Sequence, residues 1–185
     1  MNQNITVLYG GFETQDIELS FGLEGLLDPQ LNATNFDTIE RANNRTTPER
    51  LFTTFQQPVA GPPISNFGGW RNYNNGTLTG RHTGSDFRAV TGTPVEAISD
   101  GRVVFTRYMP IHGNHVIIDH GWGILSGYSH LSEILVVPGQ LVHKGDVIGL
   151  SGATGRVQGP HLHFEIAVND NWVDAIQFLS LNIPS

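Results

Sequence analysis

The chain has 185 residues, 38% of them hydrophobic, with a formal net charge of -7 and no cysteine. That is enough for one core plus an extension, while the lack of cysteine excludes a disulfide frame, a thiolate zinc site and a cysteine nucleophile. One lysine, Lys144, and nine scattered arginines form no basic run, which excludes a nucleic-acid footprint, and no run of about 18 apolar residues predicts a transmembrane segment.

Residues 1–52 read as a short α/β N-terminal extension. Two strands are expected, Ile5 to Tyr9 and Asp16 to Phe21, separated by Gly10-Gly11, and a lone hairpin of this kind must pair with something else to be stable. Asp37-Thr38-Ile39-Glu40 predicts a helix start with an acceptor at the cap, and Thr47-Pro48-Glu49-Arg50 predicts a second with proline at the first helical position. The extension is expected to act as a tether from an upstream β-domain; the alternative is a segment that lies across a groove and keeps it latent. Met1 to Asn4 lacks the layout of a signal peptide, so export would need a signal outside this sequence.

Residues 53–185 change in texture to short apolar runs punctuated by glycine and proline. Strands are predicted at Pro94 to Ile98, Gly101 to Phe105, His115 to His120, Gly127 to His130, Val147 to Leu150 and His161 to Ala167, with turns at Ser99-Asp100-Gly101, His112-Gly113-Asn114, Pro138-Gly139 and Lys144-Gly145-Asp146. Many short, closely spaced strands predict a mainly β fold, a twisted antiparallel sheet or sandwich. Trp70 to Gly76 reads as a loop beside a groove. Gly149 to Gly155 lacks the Lys-Ser/Thr ending of a phosphate loop and reads as tight turns.

In an extended strand His161 and His163 point one way and Leu162 and Phe164 the other, which stands two imidazoles over an apolar floor. Upstream, His82 and Asp86 are four residues apart, with Gly84 between them leaving room for an ion. Imidazole nitrogen and carboxylate oxygen suit a catalytic zinc, which takes three protein ligands and keeps one position open. Tyr128-Ser129-His130-Leu131 adds another histidine. His112, His115, His120 and His143 fall in or beside predicted turns and read as solvated loop histidines.

Taken together, His82-x-Gly84-x-Asp86, Tyr128-x-His130-Leu131, Gly152-x-Thr154-Gly155 and Gly159-Pro160-His161-Leu162-His163-Phe164-Glu165 resemble the lysostaphin/LytM family of zinc endopeptidases that cut peptidoglycan cross-bridges. The resemblance runs from about Phe55 to the end. It implies a twisted antiparallel sheet of the LytM type, Zn2+ held by His82, Asp86 and His163, and His130 and His161 beside the open position as catalytic groups, with Tyr128 as a hydrogen-bond donor in support. It also implies a peptidoglycan peptide as substrate and a periplasmic, cell-envelope or secreted location. The run Gly155-Arg156-x-x-Gly159-Pro160-His161 leans toward members that cut the direct D-alanyl-diaminopimelate link. The competing expectations are a non-catalytic member that binds peptidoglycan or activates a hydrolase, and a phosphocarrier-like relative.

Overall fold

The computed structural model describes residues 11–44 and 46–181. The N-terminal part contributes β1 (Thr14–Ile17), a 3-10 turn at Glu24–Leu27 and α1 (Pro29–Asn43). There follow β2 (Pro63–Ser65), β3 (Trp70–Tyr73), β4 (Leu78–Arg81), β5 (Ser85–Phe87) and β6 (Pro94–Glu96). The long strands are β7 (Gly101–Met109), β8 (Gly113–Asp119) and β9 (Ile124–Leu131), and the short β10 (Glu133–Ile134), β11 (Leu141–Val142) and β12 (Val147–Leu150) come next. The chain closes on β13 (Leu162–Val168), β14 (Asn171–Val173) and α2 (Ala175–Leu179).

Eight strands form one sheet in the order β11-β7-β8-β9-β13-β5-β2, with β14 on the free length of β13, and its pairs are antiparallel. Period-2 alternation builds its core face: Val116 and Ile118 of β8, Tyr128 of β9 and Leu162, Phe164 and Ile166 of β13 join one buried cluster. Burying each large side chain of this kind contributes about 1.5–3 kcal/mol. The small sheet β10-β12-β6 carries Ile148 and Val95 into the same cluster. Ile117 and Leu125, pointing the other way, are covered by Ile39 and Ala42 of α1.

The mainly β expectation holds, and the predicted strands from Pro94 onward are present with shifted ends. The N-terminal expectations fare differently. Ile5 to Tyr9 lies outside the described residues, and the strand expected over Asp16 to Phe21 is β1. It pairs parallel to β3, Thr14 opposite Trp70 and Ile17 opposite Tyr73. Asp37 to Glu40 starts no helix; it lies inside α1, whose cap is Asp28, accepting from the Gln30 amide at 2.8 Å ahead of Pro29. Thr47 starts none either, because its amide and hydroxyl both donate to Asp119 Oδ2 and tie the chain to the end of β8. Within the described residues of the extension, α1 packs on the sheet and β1 pairs with β3. Trp70 to Gly76 is not a loop: β3 and β4 form a hairpin, and Asn74, Asn75 and Gly76 turn it at φ of 43°, 54° and 92°.

Candidate active site

The site forms where β5, β9 and β13 lie side by side. Register sets Asp86 of β5 directly opposite His163 of β13, and His163 opposite Ser129 of β9. His82 enters from the loop before β5, clamped to the preceding segment by two backbone bonds, Gly68 amide to His82 carbonyl and His82 amide to Gly69 carbonyl, each 2.8 Å. Gly84 makes room for backbone and not for an ion: a Cβ there would stand 2.3 Å from the Phe164 carbonyl.

Three donor atoms converge. His163 Nδ1 is 2.8 Å from Asp86 Oδ1 and 3.0 Å from His82 Nε2, and His82 Nε2 is 3.1 Å from the same Asp86 oxygen. The other nitrogen of each imidazole is held by an acceptor. His82 Nδ1 donates to the Asn66 carbonyl at 2.8 Å, and His163 Nε2 lies 3.2 Å from Glu165 Oε1. Such partners set the tautomer and orient a metal-ligating ring. Burial alone would depress His163, but the Asp86 and Glu165 carboxylates outweigh it and hold the imidazole up at about 9. Asp86 runs opposite: burial pushes it up, and bonds from His163 and His82 with the charge of Arg71 carry it well below the usual carboxylate range. Arg71 donates from Nη2 to Asp86 Oδ2 and, at 2.9 Å, to His82 Nε2. A guanidinium standing against two of the three donors shows that the pocket is arranged for positive charge. The two imidazole nitrogens and one carboxylate oxygen fit zinc, which would have to displace Arg71 from the His82 lone pair.

His130 and His161 sit beside this group, their rings 4.9 Å apart, with His161 Nε2 3.7 Å from Asp86 Oδ1. Each Nδ1 donates to a backbone carbonyl at 2.9 Å, Thr154 for His130 and Gly159 for His161. That leaves both Nε2 atoms as acceptors. Burial first, then neighbouring histidines in the case of His130, lowers both below the ordinary imidazole value, so both are neutral near pH 7. The glycine-rich run exists to bring Thr154 here: its hydroxyl donates to the Leu131 carbonyl, and a Cβ on Gly113 would stand 2.2 Å from it.

Tyr128 does not share the face of His130, contrary to the sequence expectation. Between Asn114↔Leu131 and Val116↔Tyr128 the β8–β9 register shifts, so Ser129 and His130 together oppose His115, and His130 takes φ 62°. This bulge inverts the alternation. Tyr128 points into the core against Phe164, its hydroxyl accepting from the Ile98 amide at 3.1 Å and bonded to Ser126, and it is withdrawn as a site residue.

Three histidines read as solvated are buried. His120 bonds the Asp100 carbonyl and Ser126, His115 bonds Ser129, and His112 takes a bond from Asn35 of α1. Sheet and helix close over turns that look exposed in sequence; only His143 stays in solvent. Glu165 is the residue beside the candidate ligands to which the sequence alone assigned no role. It is buried, takes the Thr83 hydroxyl and holds His163 Nε2. The signal was present, since Glu165 follows His161 and His163 on one face of β13. From the extension, Gln15 and Ile17 form one wall of the cavity that contains His161. Among the described residues, no side chain of 11–44 bonds to His82, Asp86 or His163.

Residues 80–175 match the model of peptidase family M23. The peptidoglycan DD-endopeptidase ShyA of Vibrio cholerae is 52% identical over 103 residues, covering 56% of this chain and 23% of that protein. A zinc-containing peptidase from Vibrio cholerae superposes with a TM-score of 0.65 at 38% identity, over 72% of this chain and 41% of that one. Lysostaphin from Staphylococcus simulans does so at 0.58 and 32% identity, over 69% and 53%. The chain thus spans about a quarter of the length of the curated relative. With its sheet, its histidine-aspartate cluster and a match across more than half its length, the chain belongs to peptidase family M23.

Proposed function

We propose that this chain is a zinc metalloendopeptidase that hydrolyses peptide cross-links in bacterial peptidoglycan, working outside the cytoplasm. The observation that carries the reading is the pairing of a complete donor set, His82 Nε2, Asp86 Oδ1 and His163 Nδ1, with two neutral histidines beside it. A relative named as a peptidoglycan endopeptidase and a neighbour described as zinc-containing support the substrate class and the metal. The intact donor set argues against a binding-only role, and no helix among the described residues is long and apolar enough to cross a membrane.

Zinc at these residues supplies Lewis-acid polarisation of the scissile carbonyl and acidifies water. The protein supplies the rest. His130 and His161 each present an Nε2 lone pair, fixed in that tautomer by the Nδ1–carbonyl bond, so one can take the proton of the attacking water and return it to the leaving amine. His161, at the more open edge of the pair, is the better placed to exchange protons with water. Zinc-loaded protein incubated with purified sacculi should release new amino termini at cross-links, and chelation should abolish them. Intact cross-links at full zinc occupancy would refute the reading.

A further inference from the structure

In a chain of net charge -7, three of nine arginines gather at this site. Arg71, Arg81 and Arg156 line a cavity of about 50 Å³ together with His82, His130 and His163, and also line a chamber of about 250 Å³ that Asn32, Tyr73, Thr83 and one carboxylate, Glu40, share. Arg71 and Arg156 also line the 260 Å³ cavity that holds His161 and Asp86. Both guanidiniums therefore border the catalytic group from two sides.

Arg71 is matched by Asp86, but among the described residues no carboxylate pairs with Arg156. It donates from Nη1 to the Leu26 carbonyl at 3.2 Å and to Asn32 Oδ1 at 3.0 Å, and lies 4.5 Å over the Tyr73 ring. The Nε atoms of both Arg71 and Arg156 are buried with no hydrogen-bond partner. Burial lowers Arg156 from its ordinary value, the Tyr73 side chain partly offsets this, and the neighbouring charge of Arg71 adds to the lowering. A guanidinium does not escape by losing its proton, so Arg156, beside a second cation and with no carboxylate of its own, carries a charge that a planar anion in the cavity would compensate.

We propose that Arg156, with Arg71, forms a carboxylate subsite that selects cross-links bearing a carboxylate on the carbon attached to the scissile nitrogen. The inference rests on the peptidase reading above and narrows it. A direct D-alanyl-diaminopimelate link carries such a carboxylate, whereas in a glycine bridge the carbonyl on that carbon is already part of the next peptide bond and bears no charge. The planar fork of arginine takes a carboxylate through two parallel bonds, which a carboxamide cannot match.

The test pairs two cross-linked dimers that differ only in whether that carboxylate is free or amidated. The zinc-loaded wild type should cut the free acid with a kcat/KM at least about tenfold higher, as expected for charge-assisted bonds. Arg156→Gln should bring the ratio close to one at unchanged zinc content. A wild-type ratio below about tenfold, or a folded Arg156→Gln that keeps the wild-type ratio, overturns the subsite. Calorimetric binding of the acceptor tripeptide, free or amidated at the same carbon, reads the subsite without catalysis. If neither dimer is cut yet the free acid binds about tenfold better to the wild type, the subsite stands and the peptidase reading falls. Equal binding of the two tripeptides sinks the subsite alone.

Discussion

The two sides of the site use one residue type in opposite ways. On one side His82 and His163 flank the Asp86 carboxylate; Glu165 stands behind His163, which is held well above the ordinary imidazole value, while His82 has the Asn66 carbonyl behind it and is lowered by burial. On the other, His130 and His161 meet backbone carbonyls, and burial drives both down. A carboxylate partner stabilises positive charge at the ring, from a proton or from a metal; a carbonyl fixes the tautomer without adding formal charge. Direct contact with Asp86 Oδ1, at 3.1 and 2.8 Å, is what sets His82 and His163, the proposed ligands, apart from His130 and His161, the proposed acid-base pair.

The sharpest way to break that contrast is to remove a ligand. His163→Ala or His82→Ala should lose both zinc and hydrolysis, since two protein donors hold the ion poorly. Metal analysis of the purified variants checks this, and full occupancy in either would reverse the assignment. Next in size, His130→Ala or His161→Ala should keep about one zinc per chain yet lower turnover by about 10² to 10⁴. Loss of metal from either would move it to the ligand side.

His120 offers a control away from the site, buried on a carbonyl and a hydroxyl and lowered to about 4, mainly by burial. Well above the ordinary value of 6.5 it is neutral whether folded or not, and costs nothing. As pH falls through 6.5 the unfolded chain takes up a proton that the folded chain refuses until about 4. The unfolding free energy should therefore drop by up to roughly 3 kcal/mol across that window. Denaturant titrations at several pH values should show this slope flattened in His120→Gln; an unchanged slope would count against it. The smallest effect is expected at Glu165, which touches the ligand and not the donor triangle. Glu165→Gln keeps an acceptor for His163 Nε2 but loses the charge, and should weaken zinc by about 10- to 100-fold in chelator competition. An unchanged affinity would reduce Glu165 to packing.

Whatever depends on neighbours along the strand could be read from the chain alone. Leu162, His163, Phe164 and Glu165 alternate as their spacing requires, so the strand, its apolar floor and its polar face were legible before any partner was known. The cap of α1 was legible too and was overlooked: Asp28-Pro29 is a stronger start than Asp37-Thr38, because proline at the first helical position lacks only an N–H that has no partner there and brings a preset φ.

What pairing decides was not legible. The resemblance named His82, Asp86 and His163 together, but it is the β5–β13 register that puts Asp86 opposite His163. The bulge across from His115 turns His130 toward His161 and Tyr128 into the core, whereas strict alternation along β9 would put both on one face. The parallel partner of β1 lies 56 residues away from it in sequence, Thr14 against Trp70, and Arg156 meets Asn32 across 124. Local propensity carries no information about such distances. Which histidines were buried, which faced the metal ligands and which cations were left without a carboxylate were settled when the sheet closed, because burial and charge compensation belong to the assembled surface and not to any segment of it.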